Sequence, residues 1–371
     1  MRRLFHQSVP NNRWINIYVA TTQGLDRWKK DMSCETILDE KGRIKGVIPQ
    51  VPLYSYDFGG TKGVKDIVPE FLLFPKQYQK LFDDVFHHRY FHYMTDNMYE
   101  NGYRDHTSIL GAPYDFRFIL DPTIQSSYFQ QLRQVIEAGC QRLGERAVVV
   151  THSLGGILFR IFLSACVSQD WINKHISKWV CISAPFGGSY NALYAATSGD
   201  HYIPSLRSTV QKQLQNHLGI IACFPNTLAY NKDEPLLVME KGNITISEYD
   251  SLAKKGIMPF KLWCDMFRPS FDAHMAKQIC VPTHLVCAST TNSTQGKGVA
   301  DAWDAMPSRL EYVEGDGVVP LRSLLAIERV VDPRFLTETI IYDNRDHTSL
   351  LNDDGVLKIV RDNALISYKR I

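Results

Sequence analysis

The sequence predicts an α/β protein in which a mostly parallel sheet is covered by helices on both faces, with excursions of chain above it. Two observations carry that prediction. Short, fully apolar or β-branched runs at 147–150, 179–182, 284–287 and 339–342 read as buried strands, and runs of this kind suit a parallel sheet with neither face wet. Helical patterns lie between them, and a strand–helix–strand order implies a doubly wound sheet whose ligands bind at the C-terminal edge of the strands.

Taken in chain order, 129–143 is expected to be a helix, with Leu132, Val135, Ile136 and Cys140 on one face. After the strand at 147–150, a second helix over 155–168 groups Ile157, Leu158, Ile161, Phe162 and Ala165. No internal repeat, low-complexity tract or linker interrupts the chain, so 1–371 is read as a single domain. Two stretches fit the alternation poorly. Residues 14–75 are loop-rich and aromatic. Residues 195–275 combine amphipathic stretches and prolines with apolar residues expected to be exposed, among them Ile220, Ile221 and Phe224. Both are expected to be cap or lid insertions.

Composition sets the outer bounds. Hydrophobic residues make up 44% and charged residues 22% of 371, which excludes disorder, collagen and coiled coil. A net charge of +2 gives no electrostatic footing for nucleic acid or an anionic membrane. No apolar run is long enough to span a bilayer, and the first twelve residues carry a basic opening without the apolar core of a signal peptide. The eight cysteines form no CxxC pair, which argues against a zinc ribbon or a thioredoxin-like site. The sequons at Asn243 and Asn292 would matter only in a secretory compartment.

The strongest local signal is Val148-Val149-Val150-Thr151-His152-Ser153-Leu154-Gly155-Gly156, a buried strand running into a serine and then directly into a helix. This is the pattern of the nucleophile elbow of an α/β-hydrolase fold. The turn is strained, so positions two before and two after the serine need small residues. Gly155 meets that need, while Thr151 stands where glycine is usual. The Leu154 N–H is then expected to face the developing oxyanion. An ordinary N-cap serine would fit the same pentapeptide. A triad further requires an acid and then a histidine downstream. Asp316, between Gly315 and Gly317, and His347, after the 339–342 run, are the candidates, each following an expected strand in the required order. Alone, Asp316 would read as a turn residue and His347 as a loop histidine. His88 and His92 stand at i, i+4 without a third ligand, which fits a solvated helix face better than a metal site.

Five ordered motifs make the series specific: Gly111-Ala112-Pro113-Tyr114-Asp115-Phe116-Arg117, the Ser153 elbow, Ser183-Ala184-Pro185-Phe186-Gly187-Gly188-Ser189, Gly315-Asp316-Gly317-Val318-Val319-Pro320, and His347. From about Trp14 onward the chain resembles the lecithin:cholesterol acyltransferase family, which includes lysosomal phospholipases and phospholipid:diacylglycerol acyltransferases. The resemblance implies that Ser153 takes an acyl group from a phospholipid and that His347 acts as base and then acid. Asp316 would orient His347, and the acyl group would pass to a sterol, a diacylglycerol or water. It implies no metal or organic cofactor, and it implies peripheral contact with a membrane or lipoprotein surface. A lid near 205–240 would present Ile220, Ile221 and Phe224 to lipid. Residues 111–117, after a strand, would line the floor of the site, with Asp115 and Arg117 as a structural ion pair. The secretory pathway, a lysosome or a membrane surface is the setting the family suggests.

The chain also departs from the family. The family's first strand leads into a Val-Pro-Gly turn that supplies a second oxyanion donor, whereas here only Val9-Pro10-Asn11-Asn12 is present. That donor is therefore not found in the sequence, and the chain reads as beginning inside the fold. Losing such a donor costs about 2.7–4 kcal/mol of transition-state stabilisation, so a catalytically impaired lipid-binding relative is the competing reading. Cys34 and Cys287 occupy family disulfide positions without their partners, so those bridges are not expected.

Overall fold

Alternation along neighbouring strands decides the architecture. The structure, a computed structural model, describes residues 29–30, 33–50, 58–61, 90–117, 120–199, 207–275 and 277–364. Strands β3 (Ala147–His152), β4 (Ile176–Ile182), β6 (Thr283–Val299) and β8 (Leu336–Asp343) lie side by side in that order, all parallel. On one face Trp179 and Cys181 of β4 and Leu285 and Cys287 of β6 pack with helices α2 (Pro122–Leu143) and α3 (Leu154–Ala165). On the other, Val180, Ile182, Val286 and Ala288 pack with α1 (His92–Glu100) and the C-terminal helix Asp354–Ala364. Successive side chains of a strand point to opposite faces, so two distinct cores, one from each parity, are what a doubly covered sheet requires. The fold is an α/β-hydrolase fold with a mixed, mostly parallel sheet.

The strands predicted at 147–150, 179–182, 284–287 and 339–342 and the helix at 129–143 lie within observed elements, the helix predicted over 155–168 ends at Ala165, and the differences have physical causes. Helix α2 begins at Pro122, ahead of the expected start. Its first turn, Pro-Thr-Ile-Gln-Ser-Ser, shows no helical apolar period, but proline is well placed at a helix start. Strand β6 runs far beyond the expected 284–287. After Ser289 it leaves the parallel core and pairs antiparallel with β7 (Arg309–Gly315). Its buried side there consists of Thr294, Gly296 and Gly298, so no apolar alternation betrays it. Strand β3 is half-buried over Ala147–Val150 rather than fully buried, since among the described residues only β4 flanks it. The strand expected before Gly111 is not found. Residues 101–110 form turns with an isolated bridge between Asp105 and Ile109.

Of the two stretches read as insertions, 14–75 falls mostly outside the described residues. Its described part includes a hairpin of β1 (Cys34–Leu38) and β2 (Ile44–Pro49). Asp39 accepts from the Lys41 and Arg43 amides to close the turn, and Asp121 and Asp265 accept from the Val47 and Ile44 amides to dock it. The second stretch corrects an expectation. Ile221 and Phe224 are fully buried, and Ile220 is half-buried. Phe224 stacks on Trp263 at 6.2 Å between ring centres and meets Tyr249 and Phe260 edge-on. Gly188 (φ +82°) lets the 183–189 motif turn directly under it, where a Cβ would stand 2.0 Å from the Phe224 carbonyl oxygen. An amphipathic pattern with prolines does not say which face is covered, and here the rings of Tyr249, Phe260 and Trp263 pack on Phe224 while the motif loop meets its backbone.

Candidate active site

Parallel strands deliver the loops that follow them to one edge of the sheet, and the site residues collect there. Ser153 follows β3 and precedes α3 with φ 54° and ψ −130°. A non-glycine residue seldom adopts positive φ, and such strain is held where surrounding structure over-determines it. The neighbouring ladder does so: the Ser153 amide donates to the Ile182 carbonyl at 3.0 Å. The serine side chain makes no capping bond to the helix, unlike an N-cap serine in its usual extended conformation.

The position that sterically demands glycine is not the one expected. A Cβ at Gly155 would meet only ordinary contacts, 3.6 Å from the Tyr114 hydroxyl and 3.8 Å from Thr151 Cβ. At Gly156 it would stand 2.4 Å from Ala184 Cβ. Thr151 is accommodated because its Oγ1 accepts from Trp179 Nε1 at 2.8 Å. Leu154 is the first residue of α3, so its N–H belongs to the helix's unpaired first turn. Residues 9–12, where the family's Val-Pro-Gly turn is not matched and no second oxyanion donor was found, lie outside the described residues.

Asp316 sits directly after β7. Its Oδ1 accepts from the Val318 and Val319 amides at 3.0 and 2.7 Å, and its Oδ2 faces His347 Nδ1 at 2.7 Å. The strand before it is the antiparallel partner of β6, not a member of the parallel core. The loop is held from outside by the Gly317 amide on Thr294 Oγ1 at 2.8 Å and by Asn191 Nδ2 on the Gly317 carbonyl at 3.3 Å. His347 follows β8, and its own amide donates to the Asp316 carbonyl at 2.8 Å. Both residues are buried.

His347 is tied to the elbow as well. The ring of His152, adjacent to Ser153, places Nε2 2.7 Å from the His347 carbonyl oxygen, and the two imidazole centres are 4.6 Å apart. The Nδ1 of His152 meets the Tyr90 hydroxyl. Burial, aided by the nearby His347, holds His152 well below the usual histidine range, against a smaller raising effect of the His347 carbonyl. The structure therefore brings Ser153, Asp316 and His347 to one edge of the sheet, through contacts the sequence reading did not contain. Its one available signal was a histidine immediately before the serine.

Residues 111–117 do come against the elbow, through Tyr114, whose hydroxyl burial pushes well above its usual range. Asp115 and Arg117 form a buried ion pair at 2.6 Å. The backbone of the same motif fastens the helical turn Leu218–Ile221: the Leu218 amide donates to the Arg117 carbonyl at 2.7 Å and the Gly219 amide to Phe116 at 3.0 Å. Cys223 follows, its thiol pushed up to about 12 by burial. No disulfide joins the cysteines of the described residues. His92 pairs with Asp96 at 3.0 Å on α1, and His88 lies outside the described residues.

Sequence comparison adds a second line. The profile of the lecithin:cholesterol acyltransferase family matches residues 11–251. Lecithin-cholesterol acyltransferase-like 1 of Arabidopsis thaliana is 28% identical over 290 residues, which cover 72% of this chain and 63% of that protein. The lysosomal phospholipase A and acyltransferase of Bos taurus is 29% identical over 64% of this chain and 57% of its own. The phosphatidylcholine-sterol acyltransferase of Gallus gallus is 26% identical over 64% and 53%. The matched stretch spans less than two thirds of each of these relatives.

Proposed function

The chain belongs to the lecithin:cholesterol acyltransferase family, and on that premise we propose that it is a serine-dependent O-acyltransferase of lipid metabolism with a Ser153–His347–Asp316 triad. One observation supports the triad above the others. His347 holds a 2.7 Å contact to Asp316 through Nδ1 while its carbonyl is bonded to the residue beside a positive-φ serine.

The chemistry follows from that arrangement. Ser153 Oγ attacks the carbonyl carbon of a phospholipid acyl ester as His347 Nε2 takes the hydroxyl proton. Asp316 stabilises the imidazolium through Nδ1–H and keeps the tautomer that leaves Nε2 basic. The tetrahedral oxyanion faces the Leu154 N–H at the positive end of α3. Collapse expels the lysophospholipid, whose oxygen takes the proton back from His347, and leaves Ser153 acylated. An acceptor alcohol, a sterol or a diacylglycerol, then gives its proton to His347 and attacks the acyl carbonyl, and collapse releases the new ester as Ser153 Oγ takes that proton back from His347. Water in place of the alcohol makes the same cycle a phospholipase. We place this chemistry in a single α/β-hydrolase domain working peripherally at a lipid surface, with Val318, 40% exposed beside Asp316, on the side facing it.

The test is an acyl-transfer assay on phosphatidylcholine liposomes with and without an added lipid alcohol, run beside Ser153→Ala. Transfer to the alcohol that is absent in Ser153→Ala is expected. Fatty acid release alone, insensitive to the alcohol, would assign the hydrolase instead, and turnover surviving in Ser153→Ala would remove the triad.

A further inference from the structure

The hydrogen atoms around His152 can be counted. The His347 carbonyl can only accept, so the 2.7 Å contact requires the proton of His152 on Nε2. Burial disfavours the imidazolium, and in the neutral ring Nδ1 presents a lone pair to which the Tyr90 hydroxyl donates. Both ring nitrogens are used, and the ring is 4% exposed. On the other side of the contact, the polar groups of His347 are nearly all assigned: its amide to the Asp316 carbonyl, its Nδ1–H to the Asp316 carboxylate, and its carbonyl to His152.

We propose that His152 is a positioning residue for the reaction, its Nε2–H bond to the His347 carbonyl fixing where the base stands relative to the adjoining Ser153, with Tyr90 holding the tautomer that makes this bond. The inference rests on the triad reading and deepens it. Apart from this bond, the hydrogen bonds of His347 run to Asp316, directly after β7. With it, the base is also located from the strand that carries the nucleophile, so the two reacting groups share one rigid support. The neutral state of His152 serves the same end. An imidazolium forms at His347 in each half of the cycle, and a second charged ring 4.6 Å away would oppose it. Burial keeps His152 uncharged.

Three variants test this: His152→Phe, which keeps a ring but removes the donor; His152→Gln, which returns an N–H near the same place; and Tyr90→Phe, which removes only the hydroxyl. Each is measured for the second-order rate of fluorophosphonate labelling, for kcat and KM on a short-chain p-nitrophenyl ester, and for its melting temperature, with Ser153→Ala as control. Displacing a reacting group by about 1 Å costs on the order of 100-fold, so His152→Phe should lose about that factor in labelling rate and kcat with little change in KM. His152→Gln should recover about 10-fold of the loss, and Tyr90→Phe should fall by about 3- to 10-fold, in line with one lost neutral hydrogen bond. A folded His152→Phe that labels at the parent rate overturns the proposal, as does a Gln variant no faster than Phe. Should His152→Phe fail to fold, a parent-like rate in Tyr90→Phe overturns it. Labelling that persists in Ser153→Ala removes the triad itself, whereas labelling lost there but intact in His152→Phe removes the positioning role alone.

Discussion

The elbow with its histidine loop and the 218–275 segment beside it are held by opposite means. At the elbow a strained serine, a buried histidine and an acid loop are fixed by a few directional bonds: Asp316 to His347, His347 to His152, His152 to Tyr90. In the 218–275 segment Phe224, Tyr249, Phe260 and Trp263 are fixed by apolar and ring packing, with their weight in area rather than direction. On the proposed function, removing a directional bond should misplace a reacting atom and leave most of the stability in place. Removing packed volume takes stability and leaves the chemistry of the folded fraction intact.

The comparison is broken most severely at Asp316. Asp316→Asn keeps the shape but offers His347 Nδ1 an amide, and a loss in kcat on the order of 10,000-fold is expected. Its melting temperature should stay close to the parent's, and a similar loss accompanied by a collapse in melting temperature would erase the distinction between the two regions. On the other side, Phe224→Ala should cost about 3–5 kcal/mol in chemical denaturation, with kcat per folded molecule near the parent value. A folded Phe224→Ala with parent stability and a weakened response to liposomes would return Phe224 to a lid role. Between these lies the pair of glycines after the serine. Gly156→Ala forces a Cβ onto Ala184 and should destabilise by about 1–3 kcal/mol, whereas Gly155→Ala should stay within about 0.5 kcal/mol.

A gradual effect is a pH dependence of stability. His152 is held below its unfolded value, so as pH falls below about 6.5 the unfolded chain takes up a proton that the folded chain refuses. Stability should therefore decline on acidification, by at most about 1.4 kcal/mol per pH unit from this group. His274 and His284, also lowered by burial, act with the same sign. The informative quantity is the difference from His152→Gln, whose unfolding free energy should be flatter between pH 6.5 and 5. Equal slopes would mean that His152 is not held neutral.

What was legible in the sequence follows the same divide. Apolar strands such as those of β4 and β6 announce themselves because both parities are buried, and Ser153, Asp316 and His347 are readable because turn chemistry and chain order leave few alternatives. The outer half of β6 was not readable: its inward residues are Thr294, Gly296 and Gly298, which carry no apolar mark. Nor was the burial of Ile221 and Phe224, because the rings packed on Phe224 come from 249–263, and the 183–189 loop that meets its backbone is distant in sequence and fits only with Gly188 bare. Glycine at 155 matched the motif, but the tight contact falls on 156, where the neighbour is a side chain from after the next strand. The Tyr90–His152–His347 chain joins three distant segments and had no local pattern to reveal it.

The central claim is that Ser153 is the nucleophile. Its most direct measurement is peptide mapping by mass spectrometry after treatment with a fluorophosphonate. A single phosphonylated site at Ser153, lost in Ser153→Ala and slowed in His347→Ala, is the predicted result. A folded parent protein that takes up no label, or that carries it on another residue, would contradict it.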